Sequence, residues 1–159
     1  MRETYFSDDI REFLFLLGKY KVKYVIVGGE AVIYYGHARL TGDIDFFYES
    51  TFQNAQNLYG ALLDFWDQSI PGINSSDVFL KQGTIVQFGQ PPNRLDLINV
   101  IDGVSFQEAW ETRVSETINV KNDKCTIYFI NLENLIRNKK AAKRHKDLED
   151  IKFLKRAIK

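Results

Sequence analysis

The chain reads as an α/β (α+β) fold. Helix-spaced apolar segments interleave with short apolar strands, a strand running into Gly28-Gly29 forms a strand-turn-helix unit, and 159 residues suit one domain. Such a length buries about 70% of the surface of the unfolded chain. Apolar residues make up 45% and charged residues 26%, and no Pro/Gly-rich tract or repeat appears, so one folded unit over 1–159 is expected. No apolar run reaches the ~18 residues that would span a bilayer, and no signal-peptide pattern opens the chain. A cytoplasmic protein without a membrane partner is expected. Cys125 is the sole cysteine, which excludes an intrachain disulfide and a cysteine-cluster zinc site.

Each element has a local cause. Ser7 or Asp8 can cap a first helix whose Ile10, Phe13, Leu14 and Leu17 share one face. Lys23 to Val27 is a buried strand, after which Gly28-Gly29 turns the chain into a short helix, Glu30 to Tyr35, closed by Gly36. Asp43 to Tyr48 is the second strand, and a helix from Thr51 to about Trp66 follows with Ala55, Leu58, Leu62 and Phe65 inward. A loop over 69–77 precedes Val78-Phe79-Leu80 and Thr84 to Phe88, which Lys81-Gln82-Gly83 would join as a hairpin. Arg94 to Val100 is a strand, Ser105 to Glu111 a capped helix, and 116–120 and 125–130 two further strands. Asn131 caps the first of two closing helices, the second starting near Arg144.

Chemistry concentrates in Thr41-Gly42-Asp43-Ile44-Asp45-Phe46. Alternation on a strand puts Asp43 and Asp45 on one side and Ile44 and Phe46 in the core. Paired anions need a cation, and hard divalent ions bind through one or two carboxylates plus substrate phosphates. Asp96, between two leucines, is the best third carboxylate. These residues suggest phosphoryl or nucleotidyl transfer. Charge is uneven as well: residues 137–159 hold ten Lys/Arg against three Asp/Glu, and residues 1–136 hold eleven against eighteen. A basic terminal segment beside an acidic body can attract a triphosphate or RNA, or can simply be a solvated helix face.

Val27-Gly28-Gly29-Glu30-Ala31, Arg39-Leu40-Thr41-Gly42-Asp43-Ile44-Asp45 and Arg94-Leu95-Asp96-Leu97 together resemble the nucleotidyltransferase superfamily that includes DNA polymerase beta. The closing stretch from Asn138 to Asp150 resembles the minimal nucleotidyltransferases related to AbiEii-type toxins. The resemblance implies an antiparallel or mixed sheet flanked by helices, with residues 131–159 as a C-terminal basic helical segment. It implies that Asp43, Asp45 and Asp96 are catalytic and bind two Mg2+ ions, Mn2+ being possible. Gly28 and Gly29 would hold the β- and γ-phosphates of a nucleoside triphosphate, with Arg39 and Thr41 nearby. That agrees with the close approach glycine allows and with the free N–H groups at a helix start. Lys139, Arg144 and Lys146 would face the nucleotide and neutralise the departing pyrophosphate. RNA, the tRNA 3′ end in particular, or a protein is the implied acceptor, and an antitoxin a possible partner. A noncatalytic nucleotide- or RNA-binding module, or an interaction protein paired with an antitoxin, is the alternative.

Other residues carry weaker signals. His37 and His145 have no second His or Cys at ligand spacing, so polar or capping roles are expected. Tyr34, Tyr35 and Trp66 are expected in the core rather than stacked on a base. Asp147 and Asp150 can pair along a helix with Lys143 and Lys146.

Overall fold

The computed structural model describes residues 6–37, 42–91 and 93–157. Its strands are β1 (Tyr24–Val27), β2 (Asp43–Tyr48), β3 (Ile85–Phe88), β4 (Arg94–Ile98), β5 (Val114–Val120) and β6 (Asp123–Phe129). Its helices are α1 (Asp8–Lys19), α2 (Gly28–Tyr34), α3 (Phe52–Phe65), α4 (Phe106–Glu111), α5 (Leu132–Ala142) and α6 (His145–Ala157). The strands form one mixed sheet in the order β3-β4-β2-β1-β6-β5. Pairs β1/β2, β3/β4 and β5/β6 are antiparallel, and β2/β4 and β1/β6 are parallel.

Side-chain oxygens hold the helix starts by accepting otherwise unpaired N–H groups. Ser7 accepts from Ile10, Thr51 from Asn54 and Asn131 from Asn134, while Ser105 and Glu108 form a reciprocal capping box. The alternation of β2 divides the core. Phe46 meets Phe13 of α1 edge-on at 5.3 Å, whereas Phe47 meets Phe106 of α4 at 5.3 Å. Helices therefore cover both faces, and Asp43 and Asp45 share the Phe47 side by the period of the strand.

Two expectations are corrected. Val78-Phe79-Leu80 is no strand: Ser76–Leu80 is a 3₁₀ turn started by Ser75, and β3 pairs with β4 instead. Phe79 is buried there, and its carbonyl accepts from Tyr48 Oη and Ser50 Oγ. The helix after β1 starts at Gly28, so both glycines belong to its first turn. No helix among the described residues is long and apolar enough to cross a membrane.

Candidate active site

Register brings the acids together. β2 lies between β1 and β4, with Asp45 opposite both Val27 and Asp96, and Asp43 opposite Arg94. Aligned residues on neighbouring strands project to the same face, so Asp43, Asp45 and Asp96 each offer an oxygen within 4.8 Å of the others. Burial first, then repulsion from Asp43 and Asp96, pushes the Asp45 carboxyl up to about 7. Burial, followed by Asp43, also raises Asp96. Carboxylates that hold one another's protons so high form a donor set that a divalent cation would relieve, and three oxygen donors suit Mg2+ or Mn2+.

Arg94 partly offsets this charge from one side. Its Nη2 lies 2.6 Å from Asp43 Oδ2 and its Nε 3.2 Å from Asp96 Oδ1. Gln87 Nε2 donates to the other Asp96 oxygen at 3.3 Å. Gly28 closes the opposite side at φ +68°, and a Cβ there would stand 2.1 Å from Asp45 Oδ2. No side chain fits. Gly28 is thus required by Asp45 as well as by the turn.

A cleft of about 490 Å³ opens over these groups, with Gly28 and Gly29 on its lining and Lys139, Arg144 and Lys146 on the wall made by α5 and α6. The three cations differ. Lys139 is buried, its Nζ 3.0 Å from Asp147 Oδ1 and 3.3 Å from Asp150 Oδ2, yet its charge still lowers the Asp45 pKa. Arg144 bonds Asp147 Oδ2 at 2.9 Å while remaining half exposed, and Lys146 is exposed. Asp147 and Asp150 therefore pair with Lys139 rather than with Lys143 and Lys146. Arg39 and Thr41 lie outside the described residues.

His37 has a more specific place than a generic polar role. Its Nδ1 sits 3.3 Å from Asp150 Oδ1 and its ring stacks on Phe153, so Asp150 joins the end of α2 to Lys139. Tyr34 stacks on Phe129, Tyr35 Oη donates to the Ile130 carbonyl, and Trp66 packs on Phe88, all away from the cleft lining. An ion pair between Arg94 and its strand neighbour Asp96 is the sequence expectation and it forms, while the contact of Arg94 with Asp43 and the role of Gln87 were missed. The i, i+2 spacing of Arg94 and Asp96 on a strand was the available signal, whereas Gln87 depends on a register that no local pattern encodes.

The fold has solved likenesses. An antigenic nucleotidyltransferase-like protein from Paracoccidioides brasiliensis superposes with a TM-score of 0.51 at 19% identity, over 93% of this chain and 76% of that one. No curated protein matches the chain. A family model described as "nucleotidyltransferase of unknown function (DUF6036)" matches residues 8–155, and the chain belongs to that nucleotidyltransferase family.

Proposed function

We propose that the chain transfers a nucleoside monophosphate from a nucleoside triphosphate to a hydroxyl group, with RNA, the tRNA 3′ end foremost, or a protein as acceptor. One observation carries the reading: three mutually repelling carboxylates converge beside Gly28, under a wall of Lys139, Arg144 and Lys146. Mg2+, or Mn2+ in its place, held by Asp43, Asp45 and Asp96, would supply charge neutralisation for the attacking and leaving oxygens. Gly28 and Gly29 receive the β- and γ-phosphates, which approach backbone unobstructed by side chains. Asp96 accepts the proton of the acceptor hydroxyl. The hydroxyl oxygen then bonds to the α-phosphorus, the bond from that phosphorus to the bridging oxygen breaks, and pyrophosphate departs with the electron pair. Arg144 and Lys146 neutralise it from the cleft wall, and Lys139 adds positive potential from beneath.

The experiment is incubation with α-labelled triphosphates, Mg2+ and total RNA. Label on RNA with matching pyrophosphate, both lost in Asp45→Asn, is the expected result. A folded protein that yields neither product with Mg2+ or Mn2+ overturns the reading. Triphosphate affinity that needs no metal and survives Asp45→Asn would indicate a binding module instead. Resemblance to AbiEii-type proteins extends the proposal to a cytoplasmic toxin restrained by an antitoxin, whose expression would arrest growth unless Asp45 is replaced.

A further inference from the structure

A second hollow, of about 460 Å³, lies at the end of the sheet remote from Asp45. It forms where α1 ends, the chain turns into β1 and β6 begins, with Trp110 of α4 as one wall. β1 leads from Lys23 at this hollow to Gly28 at the cleft, a separation of about 17 Å along the strand. Four lysines, Lys19, Lys21, Lys23 and Lys124, line the hollow, and no acidic residue does. That is notable in a body where acids outnumber bases eighteen to eleven over residues 1–136.

The neighbouring charges leave a surplus. Asp64 engages Lys19 at 3.1 Å, and Glu49 stands 4.0 Å from Lys23. Lys21 and Lys124 are exposed and have no ionic partner among the described residues. Arg113 adds a fifth cation, its guanidinium stacked 3.7 Å from the centroid of the Trp110 ring. Lys21 holds φ +57° at the end of α1, where the Lys21 and Val22 N–H groups bond back to Gly18 and Leu17. Glycine is the ordinary residue at such a left-handed helix stop, so a lysine there bears a backbone cost while presenting its charge at the rim.

We propose that this hollow binds a single-stranded nucleic acid chain, its phosphates on Lys21 and Lys124 and a base against the Trp110–Arg113 stack. Ammonium groups following a backbone, interleaved with aromatic rings and a guanidinium plane, are the combination that holds single strands without reading sequence. An acidic peptide would satisfy the lysines but leave the aromatic and guanidinium surface unused. The proposal goes beyond the transfer reading and does not depend on it.

The test is fluorescence anisotropy of a labelled short oligouridylate with the full chain across a salt series. Wild-type protein is expected to bind with an affinity that falls as salt rises. The double variant Lys21→Gly/Lys124→Gln is expected to bind about tenfold more weakly, with the salt slope reduced by about 1.4 for two lost single-strand phosphate contacts. Glycine suits the left-handed turn, so an unchanged melting temperature separates lost contact from lost fold. In a Trp66→Phe background, binding should quench the remaining Trp110 fluorescence. Unchanged affinity and slope in the double variant would overturn the proposal by placing the oligonucleotide elsewhere. Polyglutamate that binds as tightly, with the same dependence on both lysines, would overturn it in favour of an acidic protein. Label transfer is measured separately on the same variant, so failure at the hollow and failure of the cleft chemistry are distinguishable.

Discussion

Gly28 and Asp45 constrain each other. A methyl group at 28 would occupy the space of the Asp45 carboxylate and would also sit on a backbone at φ +68°. Gly28→Ala is therefore expected to cost about 1 kcal/mol from backbone strain. It should also lower transfer by about a hundredfold, because a displacement near 1 Å at reacting groups has that effect. Thermal melting and the label-transfer assay check the two parts. Asp45→Asn acts in the opposite sense on stability. It removes a buried charge that Asp43 and Asp96 repel, so at pH 8 in EDTA the variant should melt above wild type, and in Mg2+ it should transfer no label where wild type does. A variant that melts lower would mean that Asp45 is stabilised by its surroundings rather than strained by them.

At the scale of elements, α6 serves to hold α5. Lys139 is an ammonium sealed in the interior, tolerated because Asp147 and Asp150 meet it. Burial alone would raise the Asp147 carboxyl, but hydrogen bonds from Arg144 and Lys139 outweigh it and hold the group below its ordinary range. Asp147→Ala strips the nearer partner and is expected to cost about 3 kcal/mol, read as a shift of the urea midpoint. Lys139→Met/Asp147→Leu/Asp150→Leu should recover much of that, since an apolar set leaves no buried charge. What was legible in these elements follows the reach of the pattern. β2 runs from Asp43 to Tyr48 as its alternation indicates, and Asn131 caps the helix it precedes, whereas Thr51, expected as the first helical residue, is the cap of a helix that begins at Phe52. Val78 to Leu80 is ambiguous in the sequence because three apolar residues fit either state. The 3₁₀ turn is selected by Tyr48, Ser50 and Asn99, which reach the Phe79 carbonyl from distant parts of the chain. The burial of Lys139 was illegible for the same reason: its charge suited a cleft-facing role, and only the packing of α6 on α5 encloses it.

Across the whole molecule, the basic closing segment lies over the acidic strands, so the opposed charges of the two parts of the sequence meet at one cleft. Its place between two leucines on a strand singles out Asp96 as the third carboxylate, but its register against Asp45 is not legible, because strand pairing between such distant segments leaves no local signature. The meeting of these two acids governs how stability responds to pH. An unfolded Asp titrates near 3.9, whereas Asp45 in the fold titrates at about 7. Between those values the folded chain keeps a proton that the unfolded chain has lost, so this group's contribution to stability falls as pH rises from about 4 to about 7. Asp147 works in reverse: held low in the fold, it contributes above the unfolded value and loses that contribution as pH drops below it. A divalent cation binds only the deprotonated acids, and at a hundred times its dissociation constant it adds about 2.7 kcal/mol to the folded state. Mg2+ should accordingly raise the melting temperature, relative to EDTA, much more at pH 8 than at pH 5. Asp45→Asn should abolish the difference, because the strained carboxylate that the cation relieves is gone. Calorimetry of both proteins at both pH values, with Mg2+ and with EDTA, decides it. Equal shifts at the two pH values, or a wild-type response that survives in Asp45→Asn, would mean that the cation binds away from the three acids.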